Sequence, residues 1–156
     1  MTNNDILRRL RYALNMNNSQ LLTCFAQGGH SLTQSDLDLL LKKEEEPDYI
    51  DCPDVLLNAF LNGLIIIRRG QRDTAQEAAE SSRLNNNIIL RKIRIALELK
   101  DTDIIAILQA AEHTITKSEL SAIFRKFGHR NYMPCKDQLL RKLLSGLSII
   151  SKKDLS

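Results

Sequence analysis

The sequence predicts an all-α protein built from two tandem copies of a roughly four-helix unit related by an internal duplication. Three observations carry that prediction. The chain of 156 residues aligns with itself at an offset of 83, without a gap, from Asn3 against Asn86 to Ile67 against Ile150. Apolar residues recur in both copies at the three- and four-residue spacing of amphipathic helices. Each copy also holds a threonine followed three residues later by an acid, Thr33 with Asp36 and Thr116 with Glu119, the signature of a capped helix start.

Roughly one aligned position in three is identical, and loop lengths match as well as helices, so each half reads as a copy of one fold. The first copy is placed at residues 1–69, a polar linker at 70–85 and the second copy at 86–153. Within the linker, AQEAAESSR is read as partly helical.

The first helix is ILRRLRYAL, from Ile6, repeated as ILRKIRIAL from Ile89. Ile6, Leu7, Leu10, Ala13 and Leu14 fall within about 120° of arc at 100° per residue, and Arg8, Arg11 and Tyr12 face the other way. The second copy keeps Arg91 and Arg94 but sets Ile95 where Tyr12 stands, which suits a position covered by the other copy or by another chain. SQLLTCFAQ and TDIIAILQA follow as the second helix, with Ser19 and Thr102 near its start. It ends at Gly28 and Gly29, the latter suited to a left-handed terminating residue. The third helix starts at Thr33 and Thr116, with Leu32 and Leu37, or Ile115 and Leu120, forming a hydrophobic staple around the cap. The fourth starts near Pro53 and Lys136, and Asp54 and Asp137 in its first turn favour the positive end of the helix dipole. The shared Gly63 and Gly146 inside this helix predict close backbone packing, because glycine there otherwise costs about 1 kcal/mol. GLIII at the end of the first copy also fits a short strand, although GLSII continues the helical spacing better.

Composition narrows the function classes. With 43% hydrophobic and 26% charged residues the chain is expected to be soluble and globular. No apolar run approaches the roughly 20 residues of a membrane-spanning helix, and the N-terminus lacks the pattern of a secretory signal. Cys24, Cys52 and Cys135 form an odd, sparse set that fits free thiols in a reducing cytosol. The charge is unevenly divided: residues 1–83 hold 9 basic and 12 acidic side chains, residues 84–156 hold 13 and 7. The copies are therefore electrostatically unlike.

The doubled IL-R-[RK]-[LI]-R-x-AL opening, the H-x-[LI]-T-x-S-[DE]-L segment, the Y-x-x-C-x-D loop and the GL-x-II ending resemble the YehS-like family. That bacterial family has about 150 residues and carries a domain of unknown function in two tandem copies. The resemblance covers nearly the whole chain and implies a cytoplasmic bacterial protein. It supplies no activity and no catalytic residues.

Among candidate sites, His30, Cys52, His113 and Cys135 are zinc-ligand types, but no pair has the close spacing that marks a zinc site. A Cys–His pair with Tyr49 or Asp54 is chemically conceivable; a half-buried thiol and a histidine leading into a capped helix are the simpler reading. No phosphate loop and no nucleophile elbow is present, so neither an enzyme, a cofactor nor a small-molecule substrate is expected. The preferred reading is a macromolecule-binding or regulatory module working through protein–protein contacts or self-association, with Arg8, Arg11, Tyr12 and Ile95 as interface residues. The alternative is a helix-turn-helix-like DNA-binding regulator using the basic second copy, through Arg91, Arg94, Lys117, Arg125, Lys126 and Arg130. Against it stand the long Gly28 to Leu32 turn, Glu44 to Glu46 in the first copy, and an aromatic content of 4% that gives little surface for base stacking.

Overall fold

A computed structural model describes residues 1–70 and 84–154, with side chains through Ser151. These residues form eight α-helices and no strand: α1 (Asn3–Ala13), α2 (Asn18–Gln27), α3 (Gln34–Leu40), α4 (Asp54–Arg69), α5 (Asn86–Leu97), α6 (Asp101–Ala110), α7 (Lys117–Ile123) and α8 (Asp137–Asp154). The four-helix reading of each copy is the one observed. The expected linker helix lies outside the described residues.

Local chemistry sets the helix starts. The capping boxes at Thr33 and Thr116 are both complete: each hydroxyl accepts from the backbone amide of the acid three residues on, at 3.1 Å, and the carboxylate accepts from the threonine amide. Thr2 and Asp5 form a third box, which starts α1 three residues before the apolar pattern does. Asn17 and Gln20 form a fourth, so α2 begins one residue earlier than SQLL suggests. At the other end of α2, Gly29 takes φ +98°, and its counterpart Glu112 takes φ 59°. GLIII is helical throughout, continuous with α4 to Arg69.

The apolar face predicted for α1 is the one buried: Ile6, Leu7, Leu10 and Ala13 are at most 2% exposed. So are Ile89, Leu90, Ile93 and Ala96 on α5. Within each copy α2 packs on α4, and α6 on α8. The close approach expected at the shared glycines is there, since a Cβ at Gly63 would lie 1.7 Å from the Cys24 carbonyl oxygen. A Cβ at Gly146 would lie 2.0 Å from that of Ile107. Side chains at these positions would hold the helix pairs apart.

The first helix of each copy makes its main packing contact with the other copy. α1 lies against α8, and α5 lies against α4. The buried side chains accordingly form one continuous cluster drawn from both halves. Two pseudo-equivalent seams, α1–α8 and α4–α5, join the copies.

Candidate functional site

An asparagine in the first turn of each copy's opening helix fixes the loop that leads to its fourth helix. The Asn4 amide donates to the carbonyls of Leu40 and Ile50, both at 2.9 Å, and its oxygen accepts from the Cys52 amide at 2.8 Å. Asn87 repeats the arrangement with Ile123, Met133 and Cys135 at 3.0, 2.9 and 2.8 Å. Both asparagines are buried. In the first copy the Tyr49 hydroxyl joins, with Asn4 at 3.2 Å and Asp51 at 2.7 Å; the Asp51 hydrogen bond pushes the tyrosine up to about 12. The repeated Tyr49 and Cys52 thus belong to a loop clamp in this copy. Sequence reasoning missed Asn4 and Asn87, although their identity in the two copies was the available signal.

The same cluster decides the reactivity of the thiols. Cys52 and Cys135 are buried, and burial pushes them up to about 12 and about 11. The helix N-terminus that would activate an exposed Cys52 is outweighed by desolvation. His30 lies exposed at the end of α2 and His113 is half-buried. No three histidine, cysteine or carboxylate side chains gather among the described residues in a manner that could hold a metal ion.

The seams are where the copies diverge. In the α4–α5 seam, Ile65 is fully buried, and Lys92, 1% exposed, donates to the Asn62 side-chain oxygen at 2.5 Å. Ile95 is half-buried against the core, on the helix that lies against α4 of the first copy. Arg69 closes the end of the seam, pairing with Glu98 at 3.4 Å and donating to the Ile95 carbonyl. This seam is filled.

In the α1–α8 seam the corresponding positions are Arg9 for Lys92, Tyr12 for Ile95, Ser145 for Asn62 and Ser148 for Ile65. Serines fill far less of the space between the helices than asparagine and isoleucine do. Two adjoining cavities of about 420 and about 510 Å³ result, both bordered by Arg8, Tyr12 and Ser148. Together they make a groove, with Arg9, Ser145 and Ile149 toward one end and Arg11, Met16 and Ser151 toward the other.

The groove is cationic and amphipathic. Arg8 is tied to the Asp5 carboxylate and donates to the Lys42 carbonyl at 2.7 Å. Arg11 donates to the Met16 carbonyl and to Asn18 Oδ1, which orient it without a carboxylate bond. Arg9 is exposed and has no ion-pair partner among the described residues. Tyr12 is 59% exposed and Ile149 38%. Three of the predicted interface residues, Arg8, Arg11 and Tyr12, therefore meet in one place, while Ile95 lies in the other seam. Arg9, which completes the set, was not singled out from the sequence.

The residues expected to contact DNA are less unified. Arg94 pairs with Asp101 at 3.0 Å and lies over the Phe124 ring at 4.5 Å, which engages its guanidinium inside the fold. Arg91 is half-buried, whereas Lys117, Arg125, Lys126 and Arg130 are exposed. The connection from α6 to α7 spans residues 111–116, and α7 itself has only seven residues.

A family model described as "Protein of unknown function (DUF1456)" matches the chain twice, over residues 3–70 and 86–153. The "Uncharacterized protein YehS" of Escherichia coli (strain K12) is 42% identical over 148 residues, covering 95% of each chain. No solved structure matches the chain. No helix among the described residues is long and apolar enough to cross a membrane.

Proposed function

The chain belongs to the DUF1456 family, as two tandem copies, and from that premise we propose a cytoplasmic, non-enzymatic binding module. Its α1–α8 groove takes an acidic, partly apolar segment of a partner protein. The observation that carries this reading is the divergence of the two seams. One is filled with Asn62, Ile65 and Lys92; the other is an open groove lined by exposed Arg9 and Tyr12 and half-buried Ser145 and Ser148. Tyrosine and arginine lose little conformational freedom for the contact they make, and both are enriched where binding energy concentrates. Arginines without carboxylate partners, beside exposed Tyr12 and Ile149, complement a segment that alternates acidic and aliphatic side chains. The raised thiol values of the buried cysteines favour packing roles over nucleophilic ones.

The test uses the protein's own filled seam as a template. A labelled Glu/Leu amphipathic peptide and its Lys/Leu counterpart are titrated by anisotropy, at two salt concentrations, into the full chain, Arg9→Glu, Tyr12→Ala and the double variant Ser145→Asn with Ser148→Ile. The acidic peptide is expected to bind, more weakly at high salt. Each variant should lose at least about tenfold in affinity, equivalent to ~1.4 kcal/mol. Equal binding of the two peptides, or full affinity in the filled double variant, would refute the reading.

A further inference from the structure

The two copies differ as sharply in the loop before their fourth helices as in their seams. Residues 41–53 of the first copy hold five carboxylates and two lysines. The equivalent residues 124–136 hold Arg125, Lys126, Arg130 and Lys136 and no carboxylate. Where the first copy has Glu44, the second has Phe127, which is 81% exposed. An aromatic ring so fully in water, inside a run of cations, has no role in the core.

The ring is also held in place. Gly128, at φ +93°, makes the turn behind it. The His129 amide donates to the Lys126 carbonyl at 3.0 Å, and the Tyr132 amide to that of His129 at 2.9 Å. Tyr132 supports Phe127 edge-on, with centroids 5.5 Å apart and planes at 79°. That edge contact leaves a face of the Phe127 ring for another flat group. Arg125, Lys126, His129 and Arg130 around it are all exposed.

We propose that the α7–α8 loop of the second copy binds single-stranded nucleic acid, with a base stacked on Phe127 and the strand's phosphates met by Arg125, Lys126 and Arg130. Stacking on a protruding ring needs a base that is not already between two neighbours, which a single strand supplies and a duplex does not. The low aromatic content is no obstacle, because one ordered ring in a basic surround is the minimal platform. This surface shares no residue with the α1–α8 groove, so it stands or falls independently of the peptide-binding reading.

The chain has no tryptophan, which makes Phe127→Trp a unique fluorescent reporter at an exposed position. The full-length Phe127→Trp protein is titrated with oligo-dU and oligo-U of roughly twelve nucleotides, within the usual site sizes, and with a duplex of equal length. Expected is quenching of the tryptophan by single strands, with the preferred sugar showing whether RNA or DNA is the natural ligand. Phe127→Ala should lower single-strand affinity about 5- to 150-fold, the range of one base–aromatic stack. Replacing Arg125, Lys126 and Arg130 by alanine should reduce the salt slope by about 2, at roughly 0.7 per phosphate contact. Any of three results overturns the proposal. The first is no binding at low salt. The second is duplex binding as strong as single-strand binding and indifferent to Phe127→Ala. The third is a triple variant that changes sedimentation but not oligonucleotide affinity, which would make the loop a docking point for the acidic loop of a second copy.

Discussion

Replacing Gly63 by alanine tests the packing on which the rest of the fold depends. The added Cβ would sit 1.7 Å from the Cys24 carbonyl oxygen and 2.6 Å from its carbon. An ordinary contact of about 3.5 Å is restored only if α2 and α4 separate locally by about 1.8 Å. A gap of about 1 Å already forfeits up to half of a dispersion contact, and the α2–α4 contact carries the buried Phe25 and Phe60, whose rings are 5.5 Å apart. Overpacking of a core commonly costs about 1–3 kcal/mol, and the obstruction here is backbone, which has no rotamer to move to. Alanine returns about 1 kcal/mol of helix propensity. With the cost taken at the upper end of that range, a net loss of about 2 kcal/mol is expected for Gly63→Ala, and slightly less for Gly146→Ala, where the contact is 2.0 Å. Guanidinium titration followed by far-UV circular dichroism measures both, with Thr23→Ala on the exposed side of α2 as a reference expected to stay within about 0.5 kcal/mol. A Gly63→Ala protein as stable as the parent, or about 1 kcal/mol more stable, would refute the close approach and the packing built on it.

Two further perturbations follow from the loop clamps and the thiols. Asn87→Ala removes three hydrogen bonds at 2.8–3.0 Å and leaves two carbonyls and one amide without that partner. The expected loss is about 3 kcal/mol, and hydrogen exchange at the Cys135 amide, in the loop before α8, should rise more than at amides within α8; unchanged protection there would discount the clamp. Cys24, Cys52 and Cys135 are raised by burial to about 11, 12 and 11. Raised values on acids mean that the folded state keeps protons the unfolded state has lost. The stabilisation is therefore intact below about pH 9 and declines as pH rises through 9 toward the folded values. Between pH 8 and 10 the loss is on the order of 1 kcal/mol per thiol, and it should be smaller in a triple Cys→Ala variant; an equal decline in that variant would exclude the thiols as its source.

The helices and the duplication are legible in the sequence because both rest on local signals. The 3.6-residue period of Leu57, Phe60, Leu61 and Leu64 and the Thr116–Glu119 cap need no knowledge of the partner surface. The shared glycines are readable too, since their cost demands a compensating contact. The asparagine clamps are not, because Asn4 lies off the apolar arc of α1 and reads as a solvated residue until the end of α3 and the 41–53 loop are laid over it. The groove is hidden for a different reason. Tyr12 against Ile95 is visible as a difference, but its meaning depends on α1 facing α8 and α5 facing α4. That exchange of partners between copies follows from no local pattern. Only with the seams known do Ser145 against Asn62 and Ser148 against Ile65 become one feature.

The exchange also bears on how such a chain can change over time. Helix one of either copy packs on helix four of the other, so a single copy would satisfy the same surfaces by pairing with its twin as a symmetric dimer. In such a dimer every substitution enters both seams at once, and a change that opens one opens the other. Joining the copies through one polypeptide lifts that restriction. The α4–α5 seam can go on holding the molecule together with Asn62, Ile65 and Lys92, and the α1–α8 seam is then free to exchange bulk for serines and arginines. Fusion also makes the pairing independent of concentration, so a groove opened at the expense of one seam does not risk dissociation of the whole.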